Sequence, residues 1–299
     1  VRVTFLYSED RPQDALPNWV LQIGRHCQKH YLQVAYSISQ ALEQQPDCVF
    51  PLTQLTYTPD VITDHLRDLR ERGIPHGVVH NEDWGIPTPG RYPSFCWNQT
   101  AANHLFSYAP LWLVHPPVLP LKVEPQPRRL HLGTFALCEP KKSILEIARW
   151  AKKFGIPLTV FRPDIPEITN RYQEYARKVV EAGAKVITYE WQDDVTWLAD
   201  LFEDHGISHF IFDVTRSKGS TGGSPTSPCY AAAFGRPIVV IDDEPHYRTY
   251  NYTVFRSLAE MTDPIRDLLA ATLPQHDWSP DAYIDFLLDK TFDFWRAKE

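Results

Sequence analysis

The second half of the chain alternates short apolar runs with helix-length amphipathic stretches, and this alternation constrains the fold more than any other feature. Residues 129–135, 158–161, 184–189, 208–212 and 238–241 are β-rich runs. Between them lie helical stretches at 141–154, 166–182 and 193–205, the first with Ile144, Ile147, Ala148 and Ala151 on one face. The last helix and strand come from 222–241. Gly222-Gly223 ends a loop, Ser224-Pro225 reads as an N-cap followed by proline at the first helical position, and Gly235 closes the short Ala-rich helix. Strands alternating with helices of this length imply a parallel sheet covered on both faces.

The first half repeats the plan less regularly. Strands are expected at 1–7, 48–52, 76–80 and 111–114, with helices at 19–42, 59–71 and 98–108 and a long loop from 84 onward. Pro116, Pro117, Pro120, Pro125 and Pro127 then mark a semi-rigid joint. Residues 280–296 read as a terminal helix with a wide aromatic face, Tyr283, Phe286, Phe292, Phe294 and Trp295, which needs an apolar surface to lie on. The expected fold is α/β: a first Rossmann-like domain over 1–118, a second over 128–275, and a helix over 276–299 that packs back on the first.

With 299 residues and 43% hydrophobic content the chain can bury two medium cores. Its net charge of −7 argues against a protein that coats nucleic acid or anionic membrane non-specifically. The five cysteines, at 27, 48, 96, 138 and 229, are odd in number and scattered, so they fit neither a disulfide framework nor a zinc site. No leader or spanning segment is visible, and the expectation is a cytoplasmic protein without integral membrane contact.

In open α/β sheets ligands bind beyond the carboxyl ends of strands. In the first half those ends carry the polar stretches 8–11 and 80–83, the second containing His80 and Asp83. In the second half the glycine loop feeding the helix after Ser224 gathers backbone N–H groups and the positive end of a helix dipole, which suits phosphate. An ordinary αβ unit with polar capping would read the same way.

Two doubly wound halves, a proline-rich joint and a terminal helix resemble the GT-B architecture of nucleotide-sugar glycosyltransferases. The second half carries the resemblance. Gly133-Thr134-Phe135 through Glu139-Pro140-Lys141-Lys142 is similar to that family's glycine loop and the Pro-Lys element that meets the donor diphosphate. Gly223-Ser224-Pro225-Thr226-Ser227, continuing to 240, is similar to its donor-site helix and following strand. Tyr189-Glu190-Trp191 and the helix at Asp193 stand where such enzymes hold the nucleoside base. The resemblance implies transfer of a sugar from a nucleoside diphosphate sugar, UDP-linked, to a hydroxyl. It assigns donor binding to Gly133, Thr134, Lys141, Lys142, Arg216, Gly223, Ser224, Thr226 and Ser227, catalysis to His80 and Asp83, and neither a metal nor a resident cofactor. The chain departs from the pattern at one point: many retaining members carry two glutamates eight positions apart, where Gly222 and Tyr230 stand here. The acceptor stays open between small molecule, glycan and hydroxymethylated bases of viral DNA. A nucleotide-sugar epimerase and a non-catalytic sugar-nucleotide-binding partner protein are the other readings.

Overall fold

The computed structural model describes residues 1–7, 15–53, 59–80, 92–97, 102, 110–114, 117–119, 129–136, 138–190, 195–215, 226–242, 252–273 and 279–297. The chain divides into two compact units, one of Val1–Leu119, Lys218–Thr226 and Asp277–Glu299, the other of Pro120–Ser217 and Ser227–His276.

The first unit holds a six-stranded parallel sheet, β1 (Arg2–Leu6), β2 (Tyr31–Ala35), β3 (Cys48–Thr53), β4 (Val78–His80), β5 (Ser94–Cys96) and β6 (Leu111–Leu113), in the order β2-β1-β3-β4-β5-β6. Its helices are α1 (Ala15–His26), α2 (Ile38–Glu43) and α3 (Pro59–Glu71). On one face Leu6 and Val49 pack with Ala41 and Leu69 of α2 and α3. On the other an aromatic ladder crosses the strands: Phe5 to Phe50 at 5.7 Å between ring centroids, Phe50 to Phe95 at 5.9 Å and Phe95 to Trp112 at 5.3 Å. Two strands of this sheet are absent from the sequence reading, as is β12 (Thr253–Phe255) of the second. The stretch 19–42 is not one interrupted helix but α1, β2 and α2, and β5 lies inside the span read as a long loop. The helix expected at 98–108 lies outside the described residues apart from Ala102 and so does most of the proline-rich joint.

The second unit holds β7 (Leu132–Phe135), β8 (Leu158–Pro163), β9 (Lys185–Tyr189), β10 (His209–Asp213), β11 (Ile238–Ile241) and β12 (Thr253–Phe255), all parallel, in the order β12-β11-β10-β7-β8-β9. The helices are α4 (Ile144–Lys153), α5 (Pro166–Arg171), α6 (Gln173–Glu181), α7 (Trp197–Asp204), α8 (Thr226–Ala233) and α9 (Pro264–Leu269). Leu132, Leu158, Ile211 and Val239 pack under α4, α6 and α9. The opposite face is aromatic: Phe202 of α7 meets Phe161 at 4.8 Å, Phe210 at 4.9 Å and Phe234 at 5.1 Å. Both faces are thus covered, as a parallel sheet requires. Gly235 ends α8 at φ +62°, the left-handed conformation that its lack of a side chain permits.

The terminal helix, α10 (Pro280–Arg296), belongs to the first unit. Ser279 caps it by accepting from the Ala282 N–H, and Pro280 takes the first helical position. Tyr283, Ile284, Leu287 and Leu288 are buried, and Trp97 Nε1 donates to the Tyr283 hydroxyl at 2.8 Å. At its amino end Asp281 accepts from the Gln28 and Lys29 N–H groups, and Asp285 accepts from Lys29 Nζ at 2.7 Å. At its carboxyl end Trp295 Nε1 donates to the His76 carbonyl at 2.9 Å. Of the aromatic face read from the sequence, Tyr283 is buried and Trp295 is held by the His76 carbonyl, while Phe286, Phe292 and Phe294 are half-buried. Among the described residues no helix is long and apolar enough to cross a membrane.

Candidate functional site

Strand order places the reversal of the second sheet between β7 and β10. From β7 the chain runs to α4 over one face, and α8 follows β10 with its Phe234 end in the aromatic face. Where successive connections diverge, the carboxyl ends of the strands leave a crevice. The residues at that edge are Glu139–Ser143, Asp213–Thr215, Asp242 and the start of α8 at Thr226.

After β7, Pro140–Lys142 forms a single 3-10 turn, closed by the Lys142 N–H to the Glu139 carbonyl at 3.1 Å and the Ser143 N–H to the Pro140 carbonyl at 3.2 Å. Ser143 sits at φ 51°, ψ 23°, a left-handed conformation uncommon for a residue with a side chain. It is 1% exposed, and its hydroxyl has no hydrogen-bond partner. Such strain costs about 1–3 kcal/mol and gathers at ligand clamps. Tyr175 of α6 accepts from the Leu145 N–H at 3.0 Å, which satisfies one of the amino-terminal donors of α4. The turn therefore delivers Lys142 to the carboxyl edge of β7, with Glu139 buried beneath it.

After β10, Asp213 Oδ1 accepts from the Thr215 N–H at 2.9 Å and the Thr215 hydroxyl at 2.6 Å. This local turn fixes the chain direction just before Arg216. Asp242, 2% exposed, follows β11 and donates its N–H to the Phe255 carbonyl at 2.8 Å. At the β9 edge the Tyr189 and Trp197 rings meet at 5.3 Å and 63°, and the Trp197 Nε1 is buried without an acceptor. Trp191 and Asp193 lie outside the described residues.

The donor residues expected from the sequence separate into three sets. Lys142 and the backbone of Lys141 occupy the turn after β7, and Thr226 and Ser227 open α8. Gly133 and Thr134 stand inside β7, where packing explains the glycine: a Cβ at Gly133 would lie 2.8 Å from Ile207 Cγ2 and 2.9 Å from the Phe210 ring. Arg216, Gly223, Ser224 and Asp83 lie outside the described residues. Sequence reading passed over Ser143 and the Asp213–Thr215 turn. The second carries a readable sign, an Asp two residues before a Thr at a strand end; the first carries none, because a left-handed serine has no local signature.

In the first unit His80 ends β4, paired in register with Thr53 and Cys96. It is fully buried. Its Nδ1 lies 3.4 Å from the Thr53 hydroxyl, and its Nε2 has no hydrogen-bond partner among the described residues. Burial lowers its pKa to about 3, so the imidazole is neutral at every ordinary working pH. This environment gives a weak base, so a role for His80 in catalysis rests on hydrogen bonding rather than on taking a proton near neutrality.

No protein-family model and no curated protein matches the chain. Among solved structures it is similar over its whole length to AviGT4, described as a glycosyltransferase involved in avilamycin A biosynthesis. The TM-score is 0.57 at 15% identity, covering 99% of this chain and 97% of that one. HepE of Anabaena, solved in complex with UDP and glucose, aligns with a TM-score of 0.56 at 9% identity, covering 98% and 96%. These likenesses are of fold. The architecture is that of two Rossmann-like α/β domains of the GT-B kind, with the terminal helix returned to the first unit. It is the fold class expected from the sequence.

Proposed function

We propose that the chain is a glycosyltransferase that moves a sugar from a UDP-linked donor to a hydroxyl acceptor, without a metal or resident cofactor. The observation that carries this reading is the switch-point crevice of the second unit. The strained turn after β7 bears Lys141 and Lys142, and α8, the helix that follows β10, begins at Thr226. The whole-length likeness to a glycosyltransferase and to a protein solved with UDP and glucose supports the same choice.

The chemistry follows from charge. As the glycosidic bond to the β-phosphate breaks, negative charge grows on the leaving diphosphate, and groups already aimed at it lower the barrier most. Lys141 and Lys142 supply full positive charges and the first N–H groups of α8 supply the positive end of a dipole. Arg216, Gly223 and Ser224 complete the donor side in this reading, while Gly133 and Thr134 act through packing that holds β7 against β10. In the first unit neutral His80 offers Nε2 to a hydroxyl, and Asp83 is the group to take the acceptor proton. The acceptor is any of a small molecule, a glycan or a hydroxymethylated base of viral DNA; the acidic net charge is least suited to the last.

Calorimetric titration with UDP tests the donor side. The Lys141→Ala, Lys142→Ala double variant is expected to bind UDP about tenfold or more weakly than the parent, the scale of losing charge-assisted hydrogen bonds. Equal affinity in both proteins would remove the turn after β7 from the donor site.

A further inference from the structure

A groove of about 470 Å³ lies between α6 and the strands β8 and β9. Ala176, Val180 and Val186 give it an apolar side; Arg162, Gln173, Thr188 and the ion-paired Glu174 and Arg177 give it a polar one, leaving Arg162 as its one uncompensated charge among the described residues. The two arginines differ in one respect. Arg177 is neutralised: its Nη2 donates to Glu174 at 2.6 Å, and it also binds Glu181. Arg162, near the end of β8, donates Nε to the Thr188 hydroxyl at 2.9 Å, a neutral partner, and its Nη1 is buried with no acceptor. Among the described residues no carboxylate forms an ion pair with it.

A guanidinium keeps its charge at every working pH, so a half-buried one without a counter-charge is a standing cost to the folded chain. An oxyanion offsets that cost, since a carboxylate or phosphate matches the fork of donors on arginine. We propose that this groove is a binding site for a small oxyanion ligand, a carboxylate or phosphate on a compact apolar body, with Arg162 taking the charge and Ala176, Val180 and Val186 the body. The site is independent of the transferase reading.

The test is calorimetry and thermal melting of the whole chain with malonate and inorganic phosphate as probes. The parent is expected to bind at least one probe saturably and to melt higher in its presence; which probe binds separates a carboxylate from a phosphate source. Arg162→Met should weaken binding tenfold or more and melt no lower than the parent without anion. Lys142→Ala should bind the probe as the parent does. Val180→Glu, which sets a carboxylate on the groove's rim while keeping Arg162, should also abolish binding and gives the answer if Arg162→Met does not fold. The site is refuted if neither probe binds, if Lys142→Ala rather than Arg162→Met and Val180→Glu removes the binding, or if a folded Arg162→Met melts well below the parent.

Discussion

A chain cut before Pro280 is expected to lose the cooperative fold of its first unit. Tyr283, Ile284, Leu287 and Leu288 are each less than 5% exposed. At about 1.5–3 kcal/mol for each buried side chain, their removal takes away an amount comparable with the whole stability of an ordinary domain. Further losses add to this. Trp97 Nε1 loses the Tyr283 hydroxyl, and the Gln28 and Lys29 N–H groups lose Asp281. The Phe95 ring, stacked on Trp112, loses Phe286 at 6.3 Å and opens the aromatic ladder to water. A single Tyr283→Ala change should already cost about 3–5 kcal/mol, the usual range for deleting a large buried aromatic side chain. Denaturant unfolding followed by tryptophan fluorescence reads both. A truncated chain that unfolds at the parent's midpoint would contradict the packing described for α10.

The second large effect concerns His80 and appears in both stability and turnover. In the folded chain its pKa is lowered to about 3 by burial, while in the unfolded chain it returns near 6.5. Above pH 6.5 both states hold it neutral and it contributes no pH dependence. Below 6.5 the unfolded state takes up a proton that the folded state refuses, so stability falls as pH falls, through the window from 6.5 to about 3. Two pH units below the unfolded pKa the loss amounts to about 2.7 kcal/mol. His80→Gln should flatten that part of the stability profile by the same amount. An identical acid slope in parent and variant would show that His80 is not held neutral in the folded protein. With Nε2 holding the acceptor hydroxyl as proposed, the same variant is expected to lower turnover about tenfold, the worth of one hydrogen bond, with little change in UDP affinity. A buried imidazole whose Nε2 lacks a partner is costly to retain, and polar groups left in that condition concentrate where a ligand completes them.

Much of this fold is visible in the sequence, and the parts that are not have identifiable physical causes. In the second sheet β7 to β11 are legible from local signals, with Gly155-Ile156-Pro157 before β8, Gly235-Arg236-Pro237 before β11 and a regular apolar face on α4, while β12, three residues long, is not. In the first unit β2 is hidden. Residues 27–30 contain neither glycine nor proline, and the turn between α1 and β2 is held by Asp281, more than 250 positions away, accepting from the Gln28 and Lys29 N–H groups. A break supplied by a distant helix leaves no mark at the place it occurs. β5 is three residues long inside a stretch dense in proline and glycine, so periodicity has too few positions to act on. The helix α9 did carry a sign, Asp263 before Pro264, and Asp263 does cap it by accepting from the Arg266 N–H at 3.3 Å.

Legibility of the candidate site follows the same division. Lys141, Lys142, Thr226 and Ser227 stand at the ends of a strand–helix connection, where residue type and local order tell their place. Gly133 is conspicuous in the sequence, yet its position is explained by the Phe210 ring and the Ile207 side chain that fill the space beside it. His80 is legible as a residue at a strand end, while the burial that sets its basicity depends on surroundings no local pattern records. Arg162 is one cation among many in the sequence. Only the absence of a carboxylate partner at its place in the fold sets it apart from Arg177.

The measurement that bears most directly on the central claim is UDP release from UDP-sugars by the whole chain, with and without an array of hydroxyl acceptors. The account predicts that UDP release rises in the presence of one class of acceptor, that the acceptor gains the mass of one sugar, and that the Lys141→Ala, Lys142→Ala variant loses the activity. Conversion of the UDP-sugar to an isomer without any acceptor would contradict it in favour of an epimerase. UDP-sugar binding with no turnover across the array would contradict it in favour of a binding protein.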